Sequence, residues 1–341
     1  MIVPVPEIAG PRIGLGCNTL GSIRAGGSVG SLRIVHHAID HGVRLFDTAD
    51  AYGDGTSERV LGKALVGRRD SLTLATKAGY CFDERSVLKQ ALRQLVAPVL
   101  SRVQARKTVA APAAVPSTGS PAVQPYSRQD FSTVYLAKAL DGSLRRLRTD
   151  YVDVFQLHGP KGVYSSDVPV FMQDMIRAGK IRGFGVGLES LVHAADWLAV
   201  DGLTHLQIPF GVLDPQAGRE LIGAAYLRGV AVIARGIFAA GLLADIAPEA
   251  ERRLDPLQRQ HRQAVREIAA SVGVHPLALA AWYVRRTEGV NAMLIGVSSM
   301  AHFNDNLKHL LLTTLSDEVL DRVRYAVDAY LAALAARGEG S

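Results

Sequence analysis

The chain has 341 residues, 48% of them hydrophobic and 21% charged, a composition that supports a sizeable buried core and excludes wholesale disorder. Its two cysteines, Cys17 and Cys81, cannot build a disulfide framework, and no CxxC or Cys/His cluster has the spacing of a zinc site. The net charge of +6 invites a nucleic-acid reading, yet the cations are dispersed, with short runs only at Arg68-Arg69, Arg145-Arg146-Leu147-Arg148, Arg252-Arg253 and Arg285-Arg286 and no aromatic-rich basic groove. Such runs read first as solvated surface and second as attraction for an anionic ligand such as a phosphate. The N-terminus lacks a basic n-region and an apolar h-region, and no apolar run reaches the ~20 residues that cross a bilayer. Together with the cysteine count this predicts a cytoplasmic protein with no membrane or nucleic-acid partner; oligomeric state is not readable.

From residue 12 onward, β-like runs alternate with amphipathic stretches. The strands read Arg12–Cys17, Arg44–Ala49, Leu72–Ala78, Tyr151–His158, Ile181–Leu188, His205–Phe210, Val230–Gly236 and Ala292–Val297. Between them lie helical patterns such as SLRIVHHAIDHG, SERVLGKAL, YLAKALDGSLRRL and VPVFMQDMIRAG, two of which close on a glycine, Gly42 and Gly179, at a C′ position. Near-continuous apolar strands suit a parallel sheet covered on both faces. Eight β-α repeats predict an α/β fold, a single (β/α)8 TIM barrel over residues 1–341. The glycines at Gly14, Gly16, Gly183, Gly185 and Gly187 do not complete GxGxxG at a strand-to-helix turn, which argues against an open dinucleotide-binding sheet.

One segment breaks the rhythm. Residues 86–130, an inserted helix followed by a Pro/Ala/Ser-rich stretch, leave the C-terminal end of strand three, the face on which barrel active sites form. A lid over the mouth and an insertion without a role are the two readings. Beyond strand eight a final helical run, Leu315–Ala336, is expected across one end of the barrel.

Four polar residues interrupt otherwise apolar strand ends and the loop that follows one of them. Asp47 ends strand two, Tyr52 follows five residues later, Lys77 ends strand three and His158 ends strand four. Each alone has a structural explanation, as a turn cap, a packed ring, a snorkelling amine or a core histidine. Their appearance on three consecutive strands favours chemistry, because a barrel gathers such ends at one mouth. A tyrosine of ordinary pKa about 10 serves as an acid near neutrality when a cation stabilises its phenolate. Lys77 supplies that cation, Asp47 keeps the lysine charged, and His158 orients the substrate oxygen. GxSxG is absent, as is the His-x-His that a barrel hydrolase uses for metal, so no metal site is expected. Acid-base groups alone need an organic cofactor for redox work.

The segments FDTADAYGDGTSERVLGKAL, LATKAG, SLRRLRTDYVDVFQLH, GKIRGFGVG, LQIPFGVLD, VIARGIFAAGLL and LIGVSS…NDNL resemble, in matching order, the aldo-keto reductases. The resemblance implies an NAD(P)H-dependent oxidoreductase that reduces an aldehyde or ketone, or runs in reverse. It places the catalytic tetrad on Asp47, Tyr52, Lys77 and His158. Cofactor contacts fall on Asp47, Gly187, Gln207, Arg235, Gly236, Phe238, Gly241, Gly296, Ser298, Ser299, His302, Asp305 and Asn306. Arg235 stands where many members have a nicotinamide-stacking tyrosine, and Gly187-Leu188 or Leu188-Glu189 replaces a Ser-Asn pair. Ser298 replaces an arginine that binds the 2′-phosphate, so NADPH is expected with NADH open. GVGLES resembles a variant of sugar-oxidising members, which implies a sugar or nucleotide-sugar beside small carbonyl compounds as substrate. A cofactor-binding regulatory subunit with little turnover is the alternative.

Overall fold

A computed structural model describes residues 13–81, 128–162, 166–216, 218–311 and 315–338. Eight parallel strands close into a barrel in sequence order: β1 (Ile13–Gly16), β2 (Leu45–Asp47), β3 (Thr73–Ala78), β4 (Val152–His158), β5 (Ile181–Gly187), β6 (Leu203–Pro209), β7 (Ala231–Arg235) and β8 (Val290–Gly296). Closure is direct, with Ile13 to Gly16 of β1 registered against Met293 to Gly296 of β8. The expected single-domain (β/α)8 barrel is thus observed. Strand bounds differ by a few residues; β2 is shorter than expected because Thr48 and Asp50 continue the ladder to β3 only as single amide bonds to Ala75 and Lys77.

Helices α1 (Gly27–Asp40), α2 (Thr56–Ala64), α3 (Thr133–Leu147), α4 (Asp167–Arg177), α5 (Ala194–Leu198) and α6 (Gly218–Leu227) lie between successive strands. Gly42 and Gly179 end α1 and α4 in the left-handed conformation. In each case the following amide reaches back five residues, Val43 to Ala38 and Lys180 to Met175, satisfying carbonyls that the helix end leaves orphaned. Between β7 and β8 the chain forms α7 (Pro248–Arg252), α8 (Pro256–Ser271) and α9 (Pro276–Arg286). After β8 come α10 (Met300–Leu311) and α11 (Asp317–Ala336). The final helix packs against α8, where His261 and Tyr330 stack at 4.3 Å and Arg337 pairs with Asp255 at 2.9 Å. No single described helix is long and apolar enough to cross a membrane.

Alternation with period two sorts the strand residues. Leu45, Ala75, Val154, Ile233, Ala292 and Leu294 form a small cluster inside the barrel, separate from the larger core between strands and helices. Two residues further along the same face stand Asp47, Lys77, Gln156, Arg235 and Gly296, and a further two after Gln156 stands His158. The polar strand ends therefore point into the mouth because of their parity with an apolar plug below them. The inserted segment lies outside the described residues apart from its stems. There, Tyr80 and Gln129 form an antiparallel bridge, flanked by amide bonds from Cys81 to Arg128 and from Asp130 to Gly79.

Candidate active site

Lys77 is 2% exposed, and its ammonium donates to Asp47 Oδ2 at 2.5 Å and to the Thr48 carbonyl at 3.1 Å. A side chain at Gly187 would crowd it, since a Cβ there would stand 3.3 Å from Lys77 Cε. Burial works against the ammonium, but Asp47 and Tyr52 outweigh burial, so the Lys77 pKa is raised and the group stays charged. The other Asp47 oxygen accepts from Gln156 Nε2 at 3.1 Å and Gln207 Nε2 at 2.9 Å. Asp47 is thus a buried carboxylate with donors on three strands besides its own.

Tyr52 rides on a loop built from tight turns: Tyr52 N reaches Ala49 O, Asp54 N reaches Ala51 O and Ser57 N reaches Tyr52 O. Gly53, Asp54 and Gly55 all have positive φ. At Gly55 a Cβ would also meet Arg146 Cδ at 2.6 Å, so glycine is required there twice over. Lys77 Nζ lies 5.3 Å from the Tyr52 ring centroid. Burial raises the Tyr52 pKa above 10.0, while the charge and hydrogen bond of Lys77 pull it back down. His158 sets its ring edge-on to Tyr52 at 5.5 Å and to Tyr80 at 4.8 Å. Burial, then Lys77 and Arg235, hold its pKa well below 6.5, so the imidazole is neutral, with one donor and one acceptor nitrogen. Its Nδ1 is buried without a partner.

The four residues expected from sequence therefore meet at one mouth. Sequence reasoning missed Gln156, for which the signal was available as a polar residue two positions before His158. It also missed the wall beside His158. Tyr80 donates to Glu189 Oε1 at 2.8 Å, and Gln129 donates to the carbonyls of His158 and Gly159 at 3.1 and 2.9 Å. Beneath the Tyr52 loop, Glu58 is fully buried and accepts from Thr76 Oγ1 and Arg146 Nε, both at 2.6 Å.

Close to Glu58, Asp50 is also fully buried, and neither of its carboxylate oxygens has a side-chain partner. Burial first, and then Glu58, push its pKa well above 3.8. The folded chain thus retains a proton that an unfolded aspartate releases, and stability falls as pH rises through the interval between the two pKa values. Asp50→Asn is expected to stabilise the fold by about 1–3 kcal/mol at pH 8, with a gain that shrinks toward pH 4. Thermal denaturation of both proteins across that range checks it; a gain independent of pH would contradict the assignment.

A sequence profile described as the aldo/keto reductase family matches residues 12–328. The chain belongs to the aldo/keto reductase family. Aldo-keto reductase YhdN of Bacillus subtilis (strain 168) is 27% identical over 241 residues, 69% of this chain but only 61% of that relative. The uncharacterized oxidoreductase YqkF of the same organism is 25% identical over 318 residues, covering 90% and 89% of the two chains. Among solved structures, the holo form of aldo-keto reductase AKR11C1 from Bacillus halodurans superposes with a TM-score of 0.70 at 24% identity, over 92% of this chain and 91% of that one. That likeness concerns the barrel.

In this aldo-keto reductase the remaining expected residues lie toward the C-terminal ends of β6, β7 and β8 and in the segments that follow β7 and β8. Gln207 sits at the mouth but spends its amide on Asp47. Arg235 spans to the Leu188 carbonyl at 2.8 Å. Gly236, Gly241 and Gly296 border open space, with no atom within 4 Å of a Cβ built on them, and Phe238 precedes the short 3-10 turn Ala239–Gly241. Asn306 is buried and donates to the Gly296 carbonyl at 3.2 Å. Ser298 Oγ pairs with His302 Nδ1 at 3.1 Å, and Ser299 Oγ receives the His302 amide at 3.1 Å at the start of α10. Burial holds His302 below 6.5, so neither that histidine nor the serines bring a cation there. Asp305 is exposed and lies 4.0 Å from His309.

Proposed function

We propose that this chain is a nicotinamide-dependent carbonyl reductase. The observation that carries the reading is a charged lysine held between a buried carboxylate and a tyrosine, with a neutral histidine edge-on to the same ring, at the C-terminal mouth of a barrel. The residues fit a nicotinamide dinucleotide. Glycine strand ends leave a floor without side chains, Arg235 offers a planar cation, and the N-terminus of the 12-residue helix α10 follows directly on Ser298 and Ser299. The orphaned Nδ1 of His158 and Oε1 of Gln156 mark a mouth with unmet polar demand. Gly187, Gln207, Arg235, Gly236, Phe238, Gly241, Gly296, Ser298, Ser299, His302, Asp305 and Asn306 would hold the dinucleotide, with Asp47 beside them. When bound, the reduced nicotinamide supplies the hydride.

The chain's own residues do the rest. His158, neutral, donates one hydrogen bond to the substrate carbonyl oxygen and fixes its direction. Tyr52 donates the proton to that oxygen, and Lys77 stabilises the phenolate left behind. Asp47 keeps Lys77 charged. The substrate is an aldehyde or ketone; Glu189 and Tyr80 beside His158 add a carboxylate and a phenol that suit a hydroxylated substrate such as a sugar or nucleotide-sugar.

A fluorescence titration with NADPH and, separately, NADH, followed by a panel of aldehydes, ketones and sugars, tests this. Saturable quenching with carbonyl-dependent loss of reduced cofactor is expected, and the two affinities measure the cost of serine at position 298. Failure of both dinucleotides to bind would overturn the reading. Tight binding without turnover on any carbonyl would favour the regulatory alternative.

A further inference from the structure

Three of the four dense basic runs are tied to neighbours. Arg68 pairs with Asp40 at 3.5 Å, Arg69 with Asp153 at 2.8 Å, Arg252 with Glu249 at 3.1 Å and Arg286 with Asp317 at 2.6 Å. The fourth, Arg145-Arg146-Leu147-Arg148, is tied through Arg146 to Glu58 at 2.6 Å but differs in its surroundings. With Arg59 and Lys63 of α2 it lines a surface cavity of about 350 Å³ floored by Gly142. Five cations face this cavity and no carboxylate lines it. Among the described residues, Arg145, Arg148 and Lys63 have no ion-pair partner, whereas exposed arginines elsewhere on the surface commonly do.

The cavity is also built. Arg146 is held by Glu58, and its Nη2 reaches Ser143 Oγ at 3.3 Å. Two glycines make room for it. A Cβ at Gly55 would stand 2.6 Å from Arg146 Cδ, and one at Gly142 would stand 3.0 Å from Nη1. Arg59 is steadied by a bond from Nη1 to the Asp54 carbonyl at 3.1 Å. Two oriented guanidiniums thus flank three unpaired cations around a concavity, which focuses positive potential.

We propose that this groove between α2 and α3 binds a small molecule bearing a phosphate or pyrophosphate group. Guanidinium forks match phosphate oxygens, and a multiply charged anion is needed to balance so many cations. The volume lies at the small end of the range for ligand sites, roughly 300–1,000 Å³, which suits a compact phosphorylated metabolite. The site lies outside the barrel mouth, and its unpaired cations take no part in the proposed reaction.

Isothermal titration with pyrophosphate tests it on the full chain, with the dinucleotide site first saturated by NADPH, or on the chain alone if no dinucleotide binds. One pyrophosphate per chain is expected. The Arg145→Glu/Arg148→Glu variant should weaken binding about tenfold or more while the circular dichroism and any carbonyl reductase activity stay unchanged. A milder Arg145→Gln/Arg148→Gln variant repeats the test if the first folds poorly. Equal affinity in wild type and variant, no binding, or displacement of pyrophosphate by NADPH would overturn the proposal. Capture by phosphatidylglycerol vesicles without affinity for free pyrophosphate would overturn it too, showing a surface that meets lipid instead.

Discussion

Tyr52→Phe is expected to lower carbonyl reduction by about 10²–10⁴-fold, the span that a positioned general acid contributes, while dinucleotide affinity stays nearly unchanged. The ring remains, so its edge contact with His158 at 5.5 Å survives; only the proton is lost. The pH profile separates this role from a packing role. Burial raises the Tyr52 pKa above 10.0 although Lys77 opposes it, so the phenol is protonated through neutrality. Reduction, which uses the protonated form, should therefore hold steady near neutrality and decline only in strong alkali. Oxidation of the alcohol uses the phenolate and should rise with pH over the same range. On the acid side His158, held well below 6.5, stays neutral past the point where an ordinary histidine charges, so no loss is expected near pH 6. Steady-state rates in both directions, with fluorescence titration of the cofactor, check all three statements. A Phe variant that turns over at the wild-type rate would remove Tyr52 from the mechanism.

Much of this site was legible because the barrel imposes a local rule. Parity places residues i and i+2 on one face, so Leu45 and Asp47, Ala75 and Lys77, and Val154, Gln156 and His158 share the interior. A polar residue at the end of such a series is visible in the sequence. What parity does not give is partner choice across the barrel. Gln207 and Asp47 are 160 positions apart, and their bond at 2.9 Å follows from barrel closure. Nor does it give the wall formed by Tyr80, Gln129 and Glu189, because all three lie in loops whose path the strands do not set. The pairing of Glu58 with Arg146 was hidden for a further reason. Both sit in helical patterns where charge reads as solvated surface, and only the packing of α2 on α3 buries the carboxylate. The basic run at 145–148 shows the converse, since its composition was visible but the absence of an ion-pair partner at Arg145 and Arg148, beside an Arg146 that has one, was not.

Lys77→Met is expected to destabilise the fold by about 3–5 kcal/mol, the cost of leaving one member of a buried ion pair uncompensated, and to abolish most of the reductase activity. Asp47 is 4% exposed; without Lys77 it retains the amides of Gln156 and Gln207, at 3.1 and 2.9 Å, as donors. Two amides do not neutralise a charge, so the carboxylate either takes up a proton or draws in water. The activity falls for a separate reason. Lys77 is the main group pulling the Tyr52 pKa down against burial, and without it the phenolate left after proton transfer has no adjacent cation. The two effects part company in the double variant Lys77→Met/Asp47→Leu. Replacing both members of a buried pair with apolar groups is often neutral or stabilising, so the double variant should recover most of the lost stability and none of the activity. Chemical denaturation and single-turnover reduction measure the two separately. If activity returned together with stability, Lys77 would be a structural residue, and the acidity of Tyr52 would have to be explained by Arg235 alone among the neighbouring cations.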